Sequence, residues 1–281
     1  MAERIVVGVD GSQGAERALS WAVDEAARRV VELEVVHVAE AGRADGTVLE
    51  RALGQAGEAR PRLALRPRRL EGDPGRVLVE RSSDALLLVV GARGHHELVF
   101  RLGSVSGTCV RHARSPVVVV PRPEQDDSGR PVAREGRILA GVDGSDGSRG
   151  ALAWAFEEAA LRECPLEVVS CWHDPYTNDM SLEYEAPYFR RDRATARRSA
   201  ERQLARLVAA LEPGSGVKVS QLLLEGDAAY MLCDEARGAD LLVVGSQGRG
   251  GFARLLLGSV SSTCAHESPC PTAVIHRRRK T

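Results

Sequence analysis

The stretch RIVVGVDGSQGAERALSWAVDEAA, Arg4–Ala27, recurs in altered form as RILAGVDGSDGSRGALAWAFEEAA, Arg137–Ala160. Each copy reads as a short apolar strand, a GVDGS turn and a helix, because apolar residues first run together and then repeat at helical spacing. In the first copy the apolar helix face comprises Ala18, Leu19, Ala22, Val23 and Ala26. A second shared motif, LEGD, stands at 70–73 and again at 224–227. The chain therefore predicts two homologous domains in tandem.

A stretch rich in proline, glycine and charge, PRPEQDDSGRPVAREG at 121–136, separates the two copies. Such a composition is typical of a linker. We predict a first domain over residues 1–122, a linker over 123–136 and a second domain over 137–281. The second copy also carries an insertion in its middle, around 174–213, which ends in a helical pattern. The predicted buried stripe of that helix comprises Leu204, Leu207, Val208 and Leu211.

The rest of each copy alternates short strands with helical patterns. Runs such as ALLLVVG, 85–91, and PVVVVP, 116–121, are continuously apolar, which indicates strands covered on both faces. Alternating strands and helices require parallel pairing with right-handed crossovers, so each copy is predicted to be a doubly wound α/β domain. The terminal strands within SPVVVVP, 115–121, and CPTAVIH, 270–276, would otherwise be exposed edges. We therefore predict that these two strands pair with each other inside one chain.

Composition restricts the function classes. The chain is 43% apolar and 27% charged, with a formal net charge of −1, so no overall field draws it to nucleic acid or to an anionic membrane. No segment approaches the roughly 20 apolar residues that span a bilayer, and the apolar run near the N-terminus is too short for a signal peptide. We expect a cytoplasmic protein. The six cysteines form no CxxC pair, which favours reduced packing residues over disulfides or a zinc site.

Two basic segments suggest nucleic acid at first sight. The arginines of the insertion alternate with Glu183, Glu185, Asp192 and Glu201, which favours a solvated helix face. The terminal HRRRKT, 276–281, lacks aromatic stacking partners and is interpreted as a solvated tail. No nucleic-acid partner and no membrane partner are expected.

In each copy, polar or glycine-rich motifs come directly after two of the predicted strands. Asp10 and Asp143 end the first strands, and ligands of open parallel sheets bind beyond such strand ends. In VVGSQGRGGFARLLLGSVSSTC, 243–264, two glycines at the strand exit, Gly245 and Gly248, are expected to adopt positive φ and let a ligand approach the main chain. Gly258 and Ser259 then open a helix whose free N–H groups suit a phosphate. The alternative is that the glycines only make tight turns and that Ser259 only caps a helix.

With these motifs the chain resembles the universal stress protein family in its tandem two-domain form. The resemblance covers nearly the whole chain and rests on GVDGS, on the EGD turn and on a G-x2-G-x9-G-S/T frame in the second copy. It implies a five-stranded parallel sheet in each domain, in the order 3-2-1-4-5, and ATP, with Mg²⁺, at the strand ends. In the second domain the implied nucleotide-binding residues are Asp143 for the ribose or adenine end, Cys171 for adenine through its backbone, and Gly245, Gly248, Gly258 and Ser259 for ribose and phosphates. The matching residues of the first domain are Asp10, Val38, Gly91, Gly94, Gly103 and Ser104.

The first copy departs from this frame. VVGARGHHELVFRLGSVSGTC, 89–109, has eight residues where the second copy has nine between Gly248 and Gly258, and it replaces a flexible RGG by His95 and His96. We therefore predict that the second domain is the tighter ATP site. The adjacent histidines are interpreted as loop residues, and metal binding by them is the less favoured alternative.

The sequence contains no nucleophile elbow and no metal-ligand cluster beside the motif. The leading interpretation is an ATP-binding stress-response protein with little or no catalysis, in which nucleotide occupancy governs association with a regulatory protein partner or a second copy in a homodimer. One alternative is an enzyme that cleaves ATP, although DGSQG and DGSDG stand where an SGGxDS-like loop would be expected. The other is a nucleotide-free module that binds a partner.

Overall fold

The computed structural model describes residues 3–39, 46–92, 103–125, 128, 130, 132–173, 186–211, 216–248 and 256–276, with residues 186–192 as backbone only. The first half contains the elements β1 (Arg4–Val9), α1 (Gln13–Arg29), β2 (Glu32–Ala39), α2 (Thr47–Ala59), β3 (Leu65–Glu71), α3 (Pro74–Arg81), β4 (Leu87–Gly91), α4 (Ser104–His112) and β5 (Val117–Val120). The second half contains β6 (Ile138–Gly141), α5 (Asp146–Arg162), β7 (Leu166–Trp172), α6 (Ala186–Ala209), β8 (Val219–Glu225), α7 (Ala228–Glu235), β9 (Leu241–Gly245), α8 (Ser259–Glu267) and β10 (Thr272–Ile275).

All ten strands join one sheet, in the order β3-β2-β1-β4-β5-β10-β9-β6-β7-β8. Within each half the strands are parallel and follow the predicted 3-2-1-4-5 order, so the predicted fold is confirmed. The halves meet where β5 pairs antiparallel with β10, with Val118 opposite Ala273 and Val117 opposite Val274. The predicted pairing of the two terminal strands is therefore also confirmed.

Helices cover both faces of this sheet. The layer on one face contains α1, α2, α5 and α6, and the layer on the other contains α3, α4, α7 and α8. The predicted apolar face of α1 is buried at every position. On α6, Leu204 and Leu207 are buried, and Val208 and Leu211 pack partly buried against the same core. The predicted stripe of the insertion helix is thus confirmed.

The described part of the insertion is the helix α6 and the two residues after it. Its helix α6 lies between β7 and β8, as α2 lies between β2 and β3, so α6 is a longer counterpart of α2. The side chains of its described arginines are exposed, as expected for a solvated face, and Arg197 forms an ion pair with Glu201 at 3.0 Å. Arg193 instead binds Glu225 at 2.6 Å and lies over the ring of Trp172.

A buried ion network connects α1 with α5 across the two halves. Glu25 and Glu158 occupy matching positions in these helices and are 0% and 1% exposed. Arg162 binds Glu25 at 2.7 Å and Glu158 at 2.6 Å, while Arg29 binds the same two carboxylates. The guanidinium groups also lie over the tryptophan of the opposite helix, Arg29 over Trp154 and Arg162 over Trp21. The part of the network that crosses between the helices repeats about a pseudo-two-fold axis, because each half supplies one Glu, one Arg and one Trp to it, and Arg28 adds a further contact to Glu25.

Part of the predicted linker packs on the second half. The Arg134 guanidinium donates to the carbonyls of Ala239 and Asp240, and the Glu135 N–H donates to the Gly238 carbonyl at 2.8 Å. These contacts hold the connection against the turn between α7 and β9.

Candidate functional site

The predicted site residues follow strands that are neighbours at the centre of each half. β1 lies between β2 and β4, and β6 lies between β7 and β9. At these positions the strand order reverses, which is where open α/β sheets bind ligands. Asp10 follows β1 and Asp143 follows β6, next to the ends of β4 and β9. The structure therefore brings the predicted carboxylates and strand-end glycines to one edge in each half.

Asp143 has its carboxylate fixed in the turn after β6. Its Oδ1 accepts a hydrogen bond from the Ser145 N–H at 2.9 Å, and Asp10 accepts in the same way from Ser12. The other oxygen of Asp143, Oδ2, lies 2.6 Å from the position that a Cβ on Gly248 would occupy. Gly248 is exposed and directly beside this carboxylate, so any side chain at 248 would displace it.

The expected reason for the glycines at the strand exits is corrected by the structure. Neither Gly245 nor Gly248 adopts positive φ. A Cβ on Gly245 would lie 2.8 Å from the backbone of Gly147, and a Cβ on Gly91 would lie 2.6 Å from that of Gly14. These two glycines are needed because the first turn of α5 or α1 packs directly on the strand end. Positive φ occurs instead at Gly144 and at Gly11, in the turns after β6 and β1.

Three described helices, α2, α4 and α8, begin at a glycine without a side-chain cap, and α4 and α8 are the two that follow the glycine loops. Four helices have an N-cap Ser or Asp whose side chain accepts a hydrogen bond from a first-turn N–H, namely α1, α3, α5 and α7. The N-caps of α4 and α8 are Gly103 and Gly258, and no side chain of the described residues caps either helix. The first position of each helix is an exposed serine, Ser104 or Ser259. An uncapped helix start presents unpaired N–H groups and a positive dipole end, which together favour an anion.

Each glycine loop ends at an equivalent anchor, a backbone carbonyl just after the strand that accepts two hydrogen bonds from the start of the following helix. In the second half, the Ser246 carbonyl accepts from the Gly258 N–H at 2.7 Å and from the Ser261 hydroxyl at 3.0 Å. In the first half, the Ala92 carbonyl accepts from Gly103 at 3.0 Å and from Ser106 at 3.1 Å. The one-residue difference between the loops is therefore absorbed between these anchors. Gly94, His95 and His96 lie there, outside the described residues.

The residues predicted for the adenine end lie on the strands beside β1 and β6. Val38 is the penultimate residue of β2 and Cys171 that of β7, and both are half-buried. Burial raises the pKa of the Cys171 thiol to about 11, so this group is a neutral, weakly polar surface. Next to Val38, His37 is buried and its Nδ1 donates to the Val9 carbonyl at 2.9 Å. This bond ties the end of β2 to the end of β1.

Two residues near these turns were not predicted. Gln203 of α6 donates from Nε2 to the Asp143 carbonyl at 2.6 Å, and Arg51 of α2 donates to the Gly11 carbonyl at 3.1 Å and to Glu16. Each helix thus places one long polar side chain on the turn that carries the aspartate. Gln203 directly precedes the buried Leu204. Its position beside the apolar stripe of the helix was therefore the one sequence feature that could have indicated a contact with the rest of the domain.

A pocket in the first half lies beside the turn that carries Asp10, because Val9 and Gly11 are among its lining residues. It runs between α1 and α2, and its lining residues are Val9, Gly11, Ala15, Glu16, Leu19, Val48, Arg51, Ala52 and Gln55. None of the predicted site residues lines it. The Arg51 side chain occupies its rim and pairs with Glu16, so this pocket is part of the packing of α2 on α1.

The part of the chain that the structure describes contains neither a cluster of metal-ligating side chains nor a helix suited to a membrane. Within the described ranges, no group of three or more His, Cys, Asp or Glu side chains could coordinate a metal ion. Over the same ranges, no helix combines the length and the apolar character that crossing a bilayer requires.

Comparison with known proteins matches both halves to one family. The model of the universal stress protein family matches residues 1–121 and again residues 136–276. A universal stress protein of Mycobacterium tuberculosis is 33% identical over 294 aligned residues, covering 96% of this chain and 96% of that protein. One of Mycolicibacterium smegmatis is 34% identical over 299 aligned residues, covering 98% and 97%. The crystal structure of a universal stress protein from Archaeoglobus fulgidus has the same fold, with a TM-score of 0.64 at 18% identity over 99% of this chain and 100% of that one.

Proposed function

The chain belongs to the universal stress protein family, and we propose that it is an ATP-binding member whose nucleotide occupancy regulates association with a protein partner. The proposed tight site lies in the second domain, at the carboxyl ends of β6, β7 and β9. Its binding residues are Asp143, Cys171, Gly245, Gly248, Gly258 and Ser259.

One observation carries this proposal: the Asp143 carboxylate lies beside the bare Cα of Gly248, at the same edge as the uncapped start of α8. A nucleotide has a hydroxyl-bearing ribose next to a chain of phosphates. A carboxylate accepts hydrogen bonds from the ribose, and an uncapped helix start donates to phosphate. The two groups of the protein therefore match two chemical parts of one nucleotide, which supports the proposal.

Ser259 adds a donor without adding a nucleophile. Its side chain is exposed at the first position of α8, where a hydroxyl can hydrogen-bond to a phosphate oxygen. The nearest histidine along this helix, His266, lies two turns further on. We therefore assign Ser259 a binding role, and the proposed function includes little or no catalysis. Bound Mg²⁺ would neutralise phosphate charge as part of the ligand.

The first domain is proposed to be the weaker site. Its counterparts are Asp10, Val38, Gly91, Gly94, Gly103 and Ser104. Its glycine loop is one residue shorter and carries two histidines, while the anchors of both loops have the same geometry. A shorter path between identical anchors leaves less backbone free to surround phosphates. We propose cytoplasmic action, with a homodimer or a separate regulatory protein as the nucleotide-dependent partner.

The direct test is the nucleotide that remains with the full chain after gentle purification, identified and counted by mass spectrometry. We expect ATP at about one molecule per chain, from the ranking of the two sites. A parallel incubation with ATP, analysed for ADP, AMP and pyrophosphate, should show slow or no turnover. Rapid release of AMP and pyrophosphate would favour the ATP-cleaving alternative. A chain that neither retains ATP nor binds it in calorimetry would refute the proposal.

A further inference from the structure

In the part of the chain that the structure describes, Arg17 of α1 is a half-buried arginine without a carboxylate partner. Its Nε donates to the Pro121 carbonyl at 3.2 Å, and its two terminal amino groups donate to no acceptor among the described residues. Apart from Arg68 at the outer edge of the sheet, the other described arginines that are buried or half-buried each pair with a carboxylate, namely Arg4, Arg29, Arg81, Arg137 and Arg162. A guanidinium that is partly removed from water without a counter-charge is stabilised by an anion.

Backbone hydrogen bonds place Arg17 beside the start of the first glycine loop. Ala92, directly after β4, donates its N–H to the Val120 carbonyl at 2.9 Å, so the ends of β4 and β5 are neighbours. The Ala92 carbonyl in turn accepts from the Gly103 N–H at 3.0 Å, at the start of α4. Pro121, which Arg17 contacts, follows Val120 in the chain. The Arg17 guanidinium therefore lies at the carboxyl ends of these strands, the edge at which open parallel sheets bind ligands.

A second cation adjoins this guanidinium. Arg122 directly follows Pro121 in the chain and is exposed, so Arg17 binds the backbone that carries a second arginine. Burial, and then the positive charge of Arg122, lowers the pKa of Arg17, and Glu16 acts against both. The Glu16 carboxylate itself pairs with Arg51 at 2.9 Å. Two adjacent positive charges at a ligand-binding edge favour an anion that carries more than one negative charge.

The second domain lacks this guanidinium. Counting from the shared GVDGS motif, Gly150 of α5 occupies the position of Arg17. Gly150 is exposed, and a Cβ at this position would meet nothing within 4 Å. The matching space in the second domain is therefore open, and the arginine pair is a feature of the first domain.

We propose that Arg17 and Arg122 bind a phosphate group at the carboxyl edge of the first domain. The Arg17 guanidinium is oriented by its bond to Pro121, and its terminal amino groups can donate to two phosphate oxygens. Arg122 supplies the second positive charge. A phosphate group carries close to two negative charges at neutral pH and so matches this pair better than a carboxylate does. The group is either free phosphate or the end of a nucleotide's phosphate chain. The nucleotide source rests on the proposed function, and the free-phosphate source does not.

The test titrates inorganic phosphate into the full, isotope-labelled chain at neutral pH and constant ionic strength, and follows the arginine Nε–H signals by NMR. The Arg17 signal is assigned by its absence in Arg17→Lys, which keeps the charge. We expect this signal to shift and to saturate as phosphate is added. An Arg17 signal that does not respond to phosphate would overturn the proposal.

Two variants show whether the site is specific. Arg122→Gln changes an exposed residue, so the fold is not at risk, and it should raise the dissociation constant for phosphate about tenfold, the effect of one charge-assisted hydrogen bond. Arg111→Gln removes another exposed charge at the far end of α4 and should leave that constant unchanged. Wild-type affinity in Arg122→Gln, or an equal loss in Arg111→Gln, would show that no local pair binds the anion.

ATP at a concentration that saturates the weaker site separates the two sources. If the site takes the end of a nucleotide's phosphate chain, ATP shifts the Arg17 signal, AMP shifts it less, and added phosphate then has no effect. If the site takes free phosphate, phosphate shifts the signal to the same extent with ATP present. Either result supports the proposal. A chain that binds phosphate at Arg17 but no ATP anywhere would refute the proposed function and leave this inference standing.

Discussion

The Glu25 carboxylate and the Arg162 guanidinium meet at 2.7 Å although one belongs to the first half of the chain and the other to the second. Glu25 also binds Arg28 and Arg29, while Glu158 binds Arg29 and Arg162. Burial opposes ionisation of Glu25, but Arg162 and Arg29 outweigh it and lower the pKa of this carboxyl. Burial and the charge of Glu25 raise the pKa of Glu158. The two carboxylates are thus equivalent by position and different in charge preference.

The first prediction concerns pH. A carboxyl whose pKa is raised by folding stabilises the fold while protonated, and that stability is lost as the pH rises through its raised pKa. Glu158→Gln fixes the neutral form, so its melting temperature relative to wild type should increase as the pH rises from just above the ordinary pKa of glutamate towards neutral. Thermal unfolding of both proteins in matched buffers measures this difference. A difference that stays constant or decreases over this range would show that Glu158 ionises normally.

Glu25→Gln is the matched control for the same network. The pKa of Glu25 is lowered, so its stabilising charge is present throughout that pH range and is lost only in more acidic solution. Removing it takes an ionic partner from two half-buried guanidinium groups, those of Arg29 and Arg162, and from the exposed guanidinium of Arg28. We expect a loss of about 3 kcal/mol in urea unfolding at neutral pH, as for other broken buried ion pairs. A loss no larger than that of Glu158→Gln would contradict the asymmetry.

The second prediction concerns the end of α1. Val30 is the C-cap of this helix, adopts φ 55° and is 89% exposed. A β-branched residue in the left-handed region is strained, and an exposed side chain offers little packing in return. Val30→Gly should therefore stabilise the chain by about 1 kcal/mol in urea unfolding. Glu163→Gly, at the matching C-cap of α5 with φ 53°, should stabilise less, because glutamate is not β-branched. Destabilisation by Val30→Gly would show that Val30 makes contacts that offset its strain.

The third prediction tests the close approach of residue 248 to Asp143. A Cβ at 248 would lie 2.6 Å from Oδ2, so Gly248→Val should displace the carboxylate and remove most of the measurable ATP binding. Gly150→Ala is the control, because a Cβ at 150 meets nothing within 4 Å. Isothermal titration calorimetry with ATP on both variants gives the comparison. Wild-type affinity in folded Gly248→Val would remove residue 248 from the site.

The fourth prediction compares the two aspartates. Asp143→Ala removes a carboxylate acceptor and should weaken ATP binding by roughly 1.5–3 kcal/mol, the usual value for a charged hydrogen bond. Asp10→Ala removes the same group, with the same local hydrogen bond, from the proposed weaker site and should have a smaller effect on the tight binding event. Calorimetry on the full chain keeps the domain junction intact in both variants. A larger effect of Asp10→Ala would reverse the ranking of the sites.

Most of the fold could be predicted because a repeated domain gives repeated motifs and a buried strand gives a continuous apolar run, and both are visible in the sequence. The two GVDGS copies and the apolar runs predicted tandem domains, parallel strands and the junction between the terminal strands. The third strand of the first half was not identified from its residues. β3 lies at the edge of the sheet and reads LRPRRLE, with one proline and three arginines. An edge strand needs no continuous apolar run, and these residues protect an open edge from further pairing.

The sequence identified residues that the structure brings together at the candidate site, but not all the contacts that position them. Asp143 and the glycine frame could be found because they are contiguous motifs. The reason for Gly245 could not be found, since its neighbour is the backbone of Gly147, almost a hundred residues earlier in the chain. The contact from Gln203 depends on how α6 packs beside the turn after β6, 60 residues away in the chain, and no local pattern encodes that distance.

The antiparallel junction between β5 and β10 also sets a direction for each half. Because the strands within a half are parallel and the junction reverses them, the carboxyl ends of the first half point opposite to those of the second. Asp10 and Asp143 therefore lie at opposite edges of one sheet. A partner that covers one edge leaves the other edge in contact with solvent. If both proposed sites bind nucleotide, one chain can present an occupied and an empty site to two different neighbours at the same time.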